Sequence, residues 1–284
     1  MKRLSALLAL LRPRQWIKNG FVLAPLVFSG KFHEPACIVA AVGATLLFCL
    51  ASSASYVVND MLDIEQDKRH PRKALSRPLA AGTVSVHSAL ALLVVLYAAV
   101  ALGIYLKPAM LLTILGYVAL NLAYSFVLKH QPLLDIFSIA LGFVLRIYAG
   151  AAAIDVPVSS WMFITTLMLA LYLAAVKRRQ ELKQGDPATR KVLENYSVAL
   201  VDRYAEMSAT GALVFYSLFV MSVRPQLMIT VPLVLFGLFR YWYVVEKRDG
   251  GESPTDALLT DWQLLVTVLL WVAVCVWVLW ALPG

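Results

Sequence analysis

The sequence predicts an all-α, polytopic membrane protein with about nine transmembrane helices around a central cavity that opens to the cytoplasm. The 284 residues are 61% hydrophobic and only 15% charged, where a soluble domain of this size carries roughly a quarter charged residues. Apolar runs near 20 residues recur along the chain, and about 20 residues is the length an α-helix needs to cross a bilayer. These runs do not alternate in polarity, as barrel strands of about ten residues would. Cys37, Cys49 and Cys275 lie singly in apolar runs without metal-ligand spacing, and read as buried thiols.

The opening MKRLSALLALLRPRQW has a short apolar stretch, no small-residue cleavage site and an early Arg12 and Arg14. It reads as an amphipathic segment on the membrane surface rather than a signal peptide. Nine spans are expected at approximately 16–31, 36–58, 84–106, 109–128, 133–153, 159–176, 207–223, 227–245 and 262–282. The first is short and carries Lys18 and Asn19. Pro108, Pro132, Pro157 and Pro225 punctuate the turns, as helix breakers do. No internal repeat and no separately folding soluble region is visible, so residues 1–284 are expected to form a single transmembrane domain.

With the N-terminus in the cytoplasm, twenty of the 25 lysines and arginines fall in inner segments, and only Lys31, Lys107 and Arg224 in outer turns. That bias fixes the orientation. Most acids fall on the same side, so the active chemistry is expected at the cytoplasmic face of a plasma membrane. The bases follow topology, and no nucleic-acid partner is expected.

The densest charge is NDMLDIEQDKRHPRKALSRP, residues 59–78. On a helix continuing from the second span, Asp60, Asp63 and Asp67 share an arc of roughly 60°. Three stacked carboxylates repel one another and call for a cation; hard oxygen ligands beside a phosphate site suit Mg²⁺. A solvated helix end with pairs between neighbouring charges is the plainer reading of such a run, but it leaves Asn59 and Asp60 at the membrane edge unexplained. An EF-hand is excluded, because the required glycine and terminal glutamate are missing. His70, Arg72, Lys73 and Arg77 suit phosphate oxygens, although positive-inside topology alone would also place bases there.

Three further clusters stand out. RPRQWIKN, 12–19, carries Arg14, Lys18 and Asn19 into the membrane edge beside Trp16. In NLAYSFVLKHQPLLD, 121–135, Asn121, Tyr124 and Ser125 share a face above Lys129. Arg146 lies on the face of Asp135 but about 16 Å deeper, pointing into a cavity or pairing with Asp135 or Asp155. In VKRRQELKQGD, 176–186, Lys177, Arg178 and Glu181 share a face; both bases could equally be topogenic.

Together NDxxDxxxD after the second span, Tyr-Ser followed by Leu-Lys after the fourth, and nine spans resemble the UbiA superfamily of intramembrane prenyltransferases over nearly the whole chain. Within it, RPRQWIKN, NDMLDIEQDKRHPRKALSRPLAAG, YSFVLKHQPLLD and GFVLRIYAG look like the decaprenyl-phosphate phosphoribosyltransferase branch. Ordinary members carry a second DxxxD motif after the sixth span for a second Mg²⁺. This chain has KRRQE there, with Glu181 its single acid, which suits a substrate set richer in phosphate.

The resemblance implies transfer of a 5-phosphoribosyl group from phosphoribosyl pyrophosphate to a polyprenyl phosphate, with release of pyrophosphate. It implies Mg²⁺ on Asn59, Asp60, Asp63 and Asp67. Asp60, Asp63, Lys73, Tyr124 and Lys129 take catalytic roles, and Lys18, Asn19, His70, Arg77, Lys177 and Arg178 bind substrate. The same-fold alternative is an aromatic prenyltransferase using a polyprenyl diphosphate, which the missing second motif disfavours. A transporter or lipid-binding protein is the alternative of another class, and the lack of inverted repeats disfavours it.

Overall fold

The computed structural model describes residues 2–69, 73–184, 191–247 and 254–281. Among them are thirteen α-helices and no strand: α1 Lys2–Leu10, α2 Ala24–Phe28, α3 Pro35–Leu62, α4 Ile64–Arg69, α5 Lys73–Ser76, α6 Val86–Leu106, α7 Leu111–Phe126, α8 Leu134–Ala153, α9 Ser160–Gln184, α10 Val198–Val223, α11 Val231–Lys247, α12 Pro254–Thr260 and α13 Trp262–Ala281. Short 3-10 turns join several of them, and those at Pro108–Met110 and Pro225–Thr230 lead directly into α7 and α11.

Among the described residues, eight helical stretches are long and apolar enough to cross a membrane. They match the second to ninth expected spans. The first expected span, 16–31, departs from expectation. It is an 11-residue 3-10 helix, Pro13–Leu23, followed by the five-residue α2. Pro13, Gly20 and Pro25 weaken an α-helix here, and 3-10 runs beyond about four residues are uncommon without outside support. The support is tertiary. Trp16 Nε1 donates to Ser53 Oγ at 3.0 Å, and Asn19 Nδ2 to Ser52 Oγ at 3.1 Å. Gly150 of α8 lets the Val22 carbonyl approach so closely that a Cβ there would stand 1.9 Å from its oxygen. Any side chain at 150 would push this segment off the bundle.

Several helices outrun their apolar stretches at one end of the bundle. α3 continues to Leu62 and so carries Asn59 and Asp60, and α9 continues through Lys177, Arg178 and Glu181 to Gln184. Chain direction brings residues 12–18, 59–69, 73–85, 127–134, 177–184, 191–204, 246–247 and 254–262 to that same end.

The interior is built in two halves. Phe48, Met110, Ile114 and Tyr117 pack α3, α7 and α8 together. Tyr172, Val176, Tyr241, Val244 and Val245 pack α9 to α11, and α9 with α10 is the most extensive helix pair. The outside is as apolar as the inside: Val94, Val95, Leu102, Leu112, Phe239, Leu269 and Trp277 are exposed. Apolar faces this continuous require lipid as their solvent, so the chain is a multi-pass membrane protein. Arg240, within α11, donates to both oxygens of buried Asp261 at 2.9 and 2.7 Å, which satisfies a charge inside an otherwise apolar span.

Candidate active site

The site grows from the end of α3. That helix stops at Leu62, Asp63 caps it with φ −95° and ψ 8°, and α4 resumes at once. The interruption divides the acids that sequence spacing placed on one arc. Asp60 and Asp67, both buried, turn to one partner: Arg77 Nη1 stands 2.6 Å from Asp60 Oδ1 and 2.6 Å from Asp67 Oδ2. The two carboxylate oxygens are therefore no more than 5.2 Å apart. Arg12 donates to the same Asp60 oxygen while its guanidinium lies 5.0 Å over the Tyr56 ring. Lys73 Nζ is 3.9 Å from Asp67.

Asp63 faces elsewhere. It accepts from Asn59 Nδ2 at 3.0 Å and from Lys129 Nζ at 2.7 Å. Ser125 Oγ reaches Asn59 Oδ1 at 3.3 Å, which ties α7 to this edge. Lys129 is buried. A buried ammonium without a carboxylate would cost several kcal/mol, so Asp63 accounts for its position. Seven of the expected site residues thus come together: Asn59, Asp60, Asp63, Asp67, Lys73, Arg77 and Lys129. Tyr124 precedes Ser125 on α7. Tyr124, Arg12, Arg146 and Asp256 are close enough to Lys18 for their charges to act on it. His70 and Arg72 lie outside the described residues.

Two expectations change. Arg178 has no exposed surface. Its Nε is 3.4 Å from Asp135 Oδ2, and its Nη1 donates to Glu181. It is a buried strut between α8 and α9, not a base open to a ligand. Lys177, 3.9 Å from the other Glu181 oxygen, keeps a third of its side chain exposed. Asn19 is also fully buried, with its amide shared among Arg146, Ser52 and Cys49, so it anchors the 3-10 segment instead of facing a substrate.

Arg146 pairs with neither Asp135 nor Asp155. Its Nε donates to Asn19 Oδ1 at 2.8 Å, its Nη1 to the Gly142 carbonyl at 2.7 Å and its Nη2 to Tyr117 Oη at 3.1 Å. The rings of Phe48, Tyr117 and Phe143 surround it at 5.0 to 5.2 Å. Cation–π contacts and neutral acceptors stand where the pairing alternative would have put a carboxylate.

Sequence reasoning assigned no site role to Arg12, Asp135 or Tyr196. Arg12 belongs to a motif already singled out, and Asp135 lies six residues past Lys129, but Tyr196 carried no signal. Its hydroxyl donates to Asp135 Oδ1 at 2.7 Å across 61 residues of sequence. Burial pushes this phenol well above its ordinary pKa, so it stays a neutral donor.

Among the described residues, no three acidic, histidine or cysteine side chains converge on one point. The oxygens of Asp60 and Asp67 nevertheless bracket a single cationic nitrogen, that of Arg77. That is a hard, anionic donor pair of the kind Mg²⁺ takes, with Asn59 and Asp63 on the adjoining turn. The donor set fits the ion once Arg77 gives way.

Comparison with known proteins agrees with this architecture. The model of the UbiA prenyltransferase family matches residues 20–259. The chain is 35% identical to a decaprenyl-phosphate phosphoribosyltransferase of Mycolicibacterium smegmatis, covering 94% of this chain and 90% of that one. It is 33% identical to the enzyme of the same name from Corynebacterium glutamicum, covering 96% and 86%. A UbiA homolog from Archaeoglobus fulgidus, solved bound to GPP and Mg²⁺, superposes with a TM-score of 0.76 at 21% identity, over 96% of this chain and 99% of that one. The helix order, the acid-bearing turn after α3 and these similarities make the chain a member of the UbiA prenyltransferase family.

Proposed function

We propose that the protein transfers the 5-phosphoribosyl group of phosphoribosyl pyrophosphate to a polyprenyl phosphate of decaprenyl type. A lipid phosphate oxygen attacks C1 of the ribose. The C1–O bond to pyrophosphate breaks, its electron pair leaves with pyrophosphate, and C1 inverts. The attacking phosphate is already anionic, so no strong general base is needed. Residues 1–284 act as one unit, with the N-terminus and the site on the cytoplasmic side of the plasma membrane.

The observation that supports this reading best is the balance of charge. Asp60, Asp63 and Asp67 are matched by Arg12, Lys73, Arg77 and Lys129. The position of a second acidic motif holds only Glu181, already engaged by Arg178 and Lys177. Such a site favours substrates that bring several phosphates, and both named relatives agree with it. Mg²⁺ held by Asn59, Asp60, Asp63 and Asp67 would neutralise the departing pyrophosphate. Arg77 and Lys73 would then turn to phosphate oxygens. Lys129 and Tyr124 assist the leaving group, and Lys18 and Lys177 take the ribose 5-phosphate or the lipid phosphate.

The test is incubation of purified protein with labelled phosphoribosyl pyrophosphate and a short polyprenyl phosphate, followed by lipid extraction. Label in the lipid fraction is expected. No label there, with prenylation of 4-hydroxybenzoate from a polyprenyl diphosphate, would replace this reading with the aromatic one.

A further inference from the structure

Leu133 holds a backbone conformation that L side chains rarely adopt, with φ +66° and ψ −44°. The Leu134 N–H returns to the Pro132 carbonyl at 2.8 Å. This is a γ-turn of the rare, strained hand with a leucine at its centre. Such strain persists only where the surroundings over-determine it.

Beside the local bonds from Asp135 N–H to Gln131 O and from Phe137 N–H to Leu133 O, one hydroxyl from a distant part of the chain holds the turn. Tyr196 Oη accepts the Leu133 N–H at 2.6 Å and donates to Asp135 Oδ1 at 2.7 Å, so it grips the chain on both sides of Leu134. The Tyr196 ring is packed with Val192, Leu193 and Val201 in the other half of the bundle, and Arg178 faces the second Asp135 oxygen. The turn is thus pinned from across the molecule.

On its other side the turn leads without a hinge to Lys129. Residues Leu128–His130 form a 3-10 turn, closed by His130 N–H to Val127 O and Gln131 N–H to Leu128 O, both at 3.1 Å. Pro132 has a fixed φ. Lys129 is buried and meets Asp63 at 2.7 Å.

We propose that Tyr196 is a positioning residue: by holding the strained turn at Leu133 it keeps the Lys129 ammonium on Asp63, and so sets the geometry of a site it does not touch. The catalytic part of this inference rests on the function proposed above; the pinning itself does not.

The variants are Tyr196→Phe, Leu133→Gly and the two combined, purified in detergent. Glycine takes positive φ freely, so Leu133→Gly removes the strain that Tyr196 opposes. Tyr196→Phe is expected to lower kcat about tenfold or more, because small displacements of catalytic groups carry large penalties. KM for the lipid should stay within about threefold, since Tyr196 contacts no substrate. The double variant should recover most of the lost kcat. Hydrogen exchange of peptides over 127–136 should accelerate in Tyr196→Phe, while α13 stays unchanged.

A lowered melting temperature with unchanged kcat per folded molecule, or no recovery in the double variant, would overturn the inference. If the wild type transfers no phosphoribosyl group, the functional reading falls and the exchange comparison alone decides: unchanged exchange over 127–136 overturns the pin. Should Tyr196→Phe not fold, the double variant takes its place. Folded with near-wild-type turnover, it supports the inference; folded and slow, or unfolded, it makes Tyr196 a structural residue and overturns it.

Discussion

Arg77→Met separates two roles of the charge cluster. Arg77 Nη1 neutralises Asp60 and Asp67 together, and these carboxylates are only 2% and 3% exposed. Breaking a buried pair by deleting one partner typically costs about 3–5 kcal/mol. About 3 kcal/mol, the low end, is expected here, because Arg12 still bonds Asp60 and Lys73 still stands 3.9 Å from Asp67. The variant should therefore melt earlier without metal. Magnesium should then stabilise it more than it stabilises the wild type, because the ion no longer displaces a guanidinium. Saturation at about a hundred times the dissociation constant would return roughly 2.7 kcal/mol, most of the loss. The assay is the melting temperature of both proteins across a Mg²⁺ titration, with calcium-free chelator as the zero point. Turnover should fall in the variant regardless, since the proposed function also gives Arg77 phosphate to bind. A variant as stable as wild type in chelator, or one whose magnesium response is no larger, would refute the assignment of Asp60 and Asp67 as the ion's donors.

The remaining outcomes follow from the same geometry. Asp60→Asn and Asp63→Asn should each lower turnover about a hundredfold or more while the protein still elutes as folded from a sizing column; normal turnover in both would end the metal assignment. Wild-type transfer should vanish in excess chelator and return with Mg²⁺ or Mn²⁺, as oxygen ligands select hard ions; label transfer in chelator would refute this. Lys177→Ala and Arg178→Ala should part company. The first should raise KM for one phosphate substrate about tenfold, the loss of one charge-assisted hydrogen bond, with little change in stability. The second should destabilise the fold by about 3 kcal/mol or more, because Asp135 and Arg178 are both fully buried. Thermal melts beside substrate titrations distinguish them.

What was legible in the sequence was whatever depends on composition and short spacing. Spans two to nine appeared because apolar runs bounded by prolines are local signals. The first span was misread as a continuous helix because its shape comes from partners far along the chain: Ser53, Ser52, Gly150 and Arg146 hold a 3-10 geometry that Pro13–Leu23 would not keep alone. The acids were legible as a group, but not their division, because a single interrupted turn at Asp63 sends one carboxylate to Lys129 and two to Arg77. Arg178 was misjudged for a physical reason too. A base at the polar end of an apolar helix usually meets solvent or ligand, and its burial follows from Asp135 and Tyr196, which approach it only in the folded bundle.

The division of the acids explains why so much charge of both signs occupies one membrane edge. Under the proposed function, carboxylates gathered for a cation and phosphates would repel one another on their own, and at a membrane edge water does little to screen them. Each acid accordingly has a basic partner, with Arg77 shared by two: Asp60 has Arg12 and Arg77, Asp67 has Arg77 and Lys73, and Asp63 has Lys129. These are the residues suited to phosphate oxygens when a cation takes over the acids. Binding would then be an exchange of partners within a set of three acids and four bases rather than the assembly of an unpaired one. On that reading the fold and substrate binding need the same side chains, so a substitution that removes a base should weaken both, and one that removes an acid should leave a base to bind phosphate without a productive geometry. An Asp67→Asn protein that still binds pyrophosphate as tightly as wild type but turns over at least tenfold more slowly is the expected signature of that exchange. Loss of pyrophosphate binding in parallel with turnover, measured by calorimetry on the same preparation, would show that the acids and bases act separately.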